Sequence, residues 1–126
     1  MKHYLIYHNP AKMGYSLNTV KDFIAFTNRN VSDENIGSKV WLITGEGKPK
    51  EYFLKMYFII EEIKSGAEKN FKTKLIGKNA NGKILPTMKQ IDNLSWFNDF
   101  RKQMANFRGF AEIKHQMFID ELEKLV

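Results

Sequence analysis

The stretch "EYFLKMYFIIEEI", residues 51–63, decides which fold class this chain enters. Tyr52, Leu54, Met56, Phe58 and Ile60 form an unbroken apolar set at every second position, while Phe53, Lys55, Tyr57 and Ile59 are mixed. A period of two fits this run better than a period of 3.6, so it reads as a strand, with a helix as the alternative. Upstream, "SKVWLITG" (38–45) is a continuous apolar run closed by glycine, which predicts a buried strand. "GEGKPK" (45–50) is the turn that joins the two.

Working outward, "HYLIYH" (3–8) is aromatic and β-branched and stops at Asn9-Pro10, which predicts a first strand. "SLNTVKDFIAFTNR" then predicts a helix capped by Ser16 or Asn18, with Val20, Phe23, Ile24 and Phe26 near one stripe. "NFKTKLIGK", "NANG" and "KILP" predict a hairpin whose Asn81-Gly82 supplies the positive φ values of a tight turn. From Met88 onward the pattern is helical: "MKQIDNL", "SWFNDFRKQMANF" and "HQMFIDELEKLV", the last with Phe118, Leu122 and Leu125 at helical spacing. The expectation is one α+β domain over residues 1–126, a curved or barrel-like sheet with flanking helices. No βαβ alternation supports a dinucleotide fold.

Several kinds of chemistry have no residues to carry them. Cysteine is absent, which removes disulfides, thiol nucleophiles and Cys-based zinc sites. His3, His8 and His115 fall in no metal-ligand spacing, and no serine sits in a G-x-S-x-G elbow. "GEGKPK" lacks the G-x-x-x-x-G-K-[ST] order of a phosphate loop. The expectation is therefore a binding module without cofactor or metal. No apolar run approaches the roughly 20 residues of a membrane span, so a soluble, cytoplasmic chain is expected.

The net charge of +6 favours polyanionic partners. Lys72, Lys74, Lys78, Lys83 and Arg101, with Arg108 further on, are opposed over 69–102 only by Asp92 and Asp99. They are the candidate phosphate contacts; an ordinary solvated face fits them equally well. In "SWFNDFRKQMANFRGF" (95–110), Trp96 and Phe100 share a helical stripe with Phe107 close by. Spacing alone favours a core; yet Arg101, Asn106 and Arg108 interleave with the rings, as in a wall on which a base stacks.

Three segments in order, "HYLIYHNPAKMGYSLNTV", "IGSKVWLITGEGKPKEYFLKMYFIIEEI" and "LSWFNDFRKQMANFRGFAEI", resemble the PUA-like superfamily, in particular its EVE and YTH-like branch and the modules fused to HNH endonucleases in modification-dependent restriction. Two places depart from the family pattern: "H-N-P" replaces its K-S-E-P loop, and Ser38 stands where Asp is usual. The resemblance implies a reader that takes an everted, modified base of DNA into a pocket beside the first strand's loop. His8, Asn9, Met13, Gly14, Tyr15 and Ser16 would form the loop, and Trp96, Phe100, Asn106 and Phe107 the facing wall. Trp41 matches a strand position and belongs in the core. With no HNH cluster here, nuclease activity would lie on another polypeptide or be absent. The rival readings are an RNA-binding PUA-like domain, an ASCH-type ribonuclease using Lys12, Tyr15 and Arg108, and a protein-interaction domain in which the +6 charge is incidental.

Overall fold

The computed structural model describes residues 1–65, 71–107 and 109–126. Five strands, β1 (His3–His8), β3 (Lys39–Glu46), β4 (Glu51–Ile59), β7 (Gly82–Gln90) and β8 (Phe110–Glu112), form one sheet in the order β7-β4-β3-β1-β8. Three more, β2 (Ile24–Thr27), β5 (Glu62–Ser65) and β6 (Thr73–Ile76), form a second in the order β2-β6-β5. The helices are α1 (Pro10–Met13), α2 (Phe97–Gln103) and α3 (Gln116–Glu123). The fold is α+β. The large sheet is open, since β7 and β8 are its two unpaired edges, and the expected barrel closure does not occur.

The large sheet is the middle of three layers. Trp41 and Ile43 on β3 face α2 and α3, in a core with Phe97, Phe100, Phe118 and Leu122. Val40 and Leu42 point the other way, onto Ala25 and Leu75 of the small sheet and Phe23 just before it. Covered on both sides, β3 reads as the uninterrupted apolar run seen in its sequence.

The 51–63 stretch is a strand, but its alternation breaks once. Leu42 pairs with Met56 and Ile43 with Leu54, which leaves Lys55 opposite no residue of β3. This bulge flips the face. Tyr52 and Leu54 join the helical core, whereas Met56, Phe58 and Ile60 join the inter-sheet core. Lys55 is only 3% exposed, and its Nζ donates to Leu85 O at 2.8 Å.

Three local expectations give way. Residues 16–29 are not a helix: Ser16 Oγ accepts from Asn18 N at 3.1 Å and caps one 3-10 turn (Leu17–Thr19), after which the chain extends into β2. Phe, Ile and Thr are good strand formers, and Ala25 and Thr27 alternate inward with Ile24 and Phe26 outward. Nor do residues 71–86 form a hairpin. β6 and β7 lie in different sheets, and Gly82 is extended at φ −160°. It is glycine because a Cβ there would sit 2.6 Å from the Phe23 ring. Finally, Met88–Gln90 completes β7 rather than opening a helix.

Candidate functional site

The loop after β1 is built by caps. Asn9 Oδ1 accepts from Ala11 N (3.0 Å) and Lys12 N (3.3 Å), Pro10 opens the single turn of α1, and Gly14 closes it at φ +83°. The chain thereby folds back over the end of β1, where His8 Nε2 lies 2.9 Å from Tyr15 O. Ser16 then locks the loop to β3: its hydroxyl spans both carboxylate oxygens of Glu46 at 2.7 and 2.8 Å, and Leu17 N reaches Oε2 at 3.3 Å. Thr44 Oγ1, 2.9 Å from His8 O and 3.3 Å from Glu46 Oε2, ties the strand ends to the same carboxylate.

Between this loop and the end of β2 lies a cavity of about 360 Å³, within the ~300–1,000 Å³ range of small-molecule sites. Ile6, Leu17 and Leu42 make an apolar floor, while Tyr7, Tyr15, Phe26, Phe71 and Phe107 supply rings. Lys12 and Arg29 add positive charge, and no Asp or Glu is among the described lining residues. Arg29 is held by a close approach to Gly109, where a Cβ would stand 3.0 Å from Arg29 Cγ; that glycine has φ +76°. Asn28 Oδ1 accepts from Lys72 N at 2.9 Å and fixes the rim beside Phe71.

Of the residues expected in a pocket, His8, Asn9, Met13, Tyr15 and Phe107 line this cavity. Ser16 shapes the loop through Glu46 without lining the cavity. Trp96 and Phe100 are elsewhere. They pack edge-on at 5.5 Å and both meet Phe118 in the helical core, with Phe100 wholly buried. Their i, i+4 spacing is that of a core stripe, as spacing alone favoured, and the wall implied by the resemblance does not form there. Asn106 is exposed on the turn after α2 and does not line the cavity, whereas Phe107 does, with its ring stacked 6.2 Å from Tyr7. Trp41 is buried between His3 and Tyr57.

The candidate phosphate contacts do not form one stripe. Lys74 has its Nζ 5.9 Å from the ring centroid of Phe26, and Lys72 is exposed near the same rim. Lys78 is exposed beyond β6. Lys83 pairs with Tyr57 and so faces the helical side of the large sheet. Arg101 is on that side too, its guanidinium 4.9 Å from the Tyr52 ring centroid. Arg108 lies outside the described residues. Sequence reasoning missed Phe26, Arg29 and Phe71. The helical reading of 16–29 hid the first two, and a lone Phe ahead of a short strand carries no signal.

Among the described residues, no group of three or more His, Asp or Glu is arranged to hold a metal ion, and no helix is long and apolar enough to cross a membrane. The chain matches no protein-family model, no curated protein and no solved structure.

Proposed function

We propose that this protein is a nucleic-acid-binding module of PUA-like, EVE-type character, acting in the cytoplasm, that takes an everted, modified base of DNA into the cavity between the β1 loop and β2. One observation carries the reading: a base-sized concavity whose described lining combines rings with two cations and no carboxylate. Everting a base costs a few kcal/mol. Stacking on aromatic planes contributes about 1–3 kcal/mol per base, enough to offset that cost together with hydrogen bonds to the base edge. Tyr15, Phe26 and Phe107 are the stacking surfaces, Asn9 and Asn28 offer polar groups to the edge, and Lys12 and Arg29 take the flanking phosphates. The role is recognition; a nuclease acting with it would reside in a further domain or subunit.

Binding of one DNA duplex, carrying either a plain or a modified central base (5-methylcytosine, 5-hydroxymethylcytosine or N6-methyladenine), tests this, with RNA of equal length as competitor. Tighter binding of a modified duplex than of the plain one is expected, with Tyr15→Ala losing about 5- to 150-fold of that affinity, the equivalent of one stacking contact. Equal binding of all duplexes, or a preference untouched by Tyr15→Ala, would remove the base-reading assignment. Stronger competition by RNA would move the ligand to RNA.

A further inference from the structure

A second groove, of about 450 Å³, adjoins the cavity and shares Tyr15, Val20, Ile24 and Phe26 with it. Its own contributions include Lys21, Asp22 and Lys74. Tyr15 and Phe26 are thus a partition with one compartment on either side. The register extends the groove: Phe26 pairs with Lys74 on β6, and Lys74 pairs with Lys64 on β5. Residues directly opposite in a sheet share a face, so Phe26, Lys74 and Lys64 form one row across the small sheet, leading away from the cavity.

Two lysines placed directly opposite each other repel. Glu62 relieves Lys64 only weakly: the pair is 3.7 Å apart, and both side chains are more than half exposed. Among the described residues no carboxylate pairs with Lys74. An anion bridging Lys64 and Lys74 would turn the repulsion into attraction. The single acid among the described lining residues of the groove, Asp22, suits a base amine better than a phosphate.

We propose that the strand carrying the read base leaves the cavity over Phe26 and crosses the outer face of the small sheet, its next nucleotide in the groove beside Tyr15 and its phosphates on Lys74 and Lys64. This rests on the base-reading function proposed above and adds that the strand carrying the read base is held as a continuous track on one face of the protein.

The test is the salt dependence of binding to a fluorescein-labelled, mixed-sequence 12-nucleotide DNA strand. Each single-strand phosphate contact contributes about 0.7 to the slope of log K against log salt. Lys64→Gln/Lys74→Gln is expected to lower the slope by about 1.4, two such contacts. Lys102→Gln/Lys114→Gln, which removes equal charge from the helical side, is expected to leave it unchanged. An unchanged slope in the first variant, or an equal fall in both, overturns the track while leaving base reading intact. Failure of the wild type to bind the strand at all also overturns the track, while base reading is decided separately by the plain and modified duplexes. Tyr15→Ala separates the two ideas further, since it should lose preference among bases and keep the wild-type slope.

Discussion

The indole Nε1 of Trp41 donates to Nδ1 of His3 at 3.1 Å, with the two rings stacked 17° from parallel. That hydrogen bond requires Nδ1 to be unprotonated, which puts the proton of the neutral ring on Nε2. Burial lowers the His3 pKa below 6.5, the Lys39 ammonium lowers it further, the N-terminus adds to this, and Glu123 opposes it. Lys39 itself lies 4.0 Å over the Tyr57 ring and 2.6 Å from Glu123, so strand β3 and helix α3 meet at this point.

Because the folded-state pKa of His3 is depressed, the unfolded chain binds more protons between that value and 6.5. The His3 contribution to stability is complete above pH 6.5 and is lost as pH falls through the folded-state value. Thermal unfolding followed from pH 8 to pH 5 should show this decline, and His3→Asn should show a shallower one. Identical slopes in the two proteins would mean that His3 is not the titrating group.

Lys55 follows the same rule at the other end of the scale. Burial lowers its pKa from 10.5, and the nearby Lys21 charge adds to the effect. Charging the ammonium in the folded state therefore costs stability, and the cost is relieved as pH rises through the lowered value toward 10.5. Lys55→Met removes the charge along with the hydrogen bond to Leu85 O. The stability of Lys55→Met relative to wild type should fall as pH is raised from 8 to 10.5. A pH-independent difference in denaturant midpoints would contradict the assignment.

Phe100 is wholly buried and touches Trp96, Phe107 and Phe118. Phe100→Ala should cost about 3–5 kcal/mol, as large aromatic deletions from packed cores do. Trp96→Phe should cost stability and leave nucleic-acid preference unaltered, because Trp96 does not line the cavity. Urea unfolding and duplex binding of that variant, measured side by side, check both halves.

Ala105, Asn106 and Phe107 stand in succession at φ 51°, 59° and 64°. Left-handed conformation costs an L-residue roughly 1–2 kcal/mol. Asparagine tolerates it best; the turn is what delivers Phe107 to the cavity. Ala105 is exposed, so glycine there removes strain without opening a hole. Once the greater entropy of the unfolded glycine chain is subtracted, Ala105→Gly should stabilise by about 0.5–1 kcal/mol. A lower urea midpoint than wild type would argue against a left-handed residue at 105.

Strands whose apolar pattern is dictated by a single neighbourhood were legible from sequence. β1 and β3 follow from β-branched and aromatic runs ended by Pro or Gly, β4 from its period-two alternation, and the buried stripe of α3 from Phe118 and Leu122. The loop residues His8, Asn9, Met13 and Tyr15 were named through the family resemblance, and they stay together because they lie close in sequence around one capped turn. Lys55 was not: nothing in its neighbours announces that β3 skips it, yet that skip sends Tyr52 and Phe58 to opposite cores. The same limit explains Arg29, Phe26 and Phe71. They reach the cavity only because β2 pairs with β6 across more than forty positions of chain, and local spacing holds no record of such a pairing. Sequence alone determined that β1, β3 and β4 extend and which residues are apolar, since their runs are set by neighbours a few positions away. Tertiary structure alone decided which face each side chain serves, because burial is settled by residues distant in the chain.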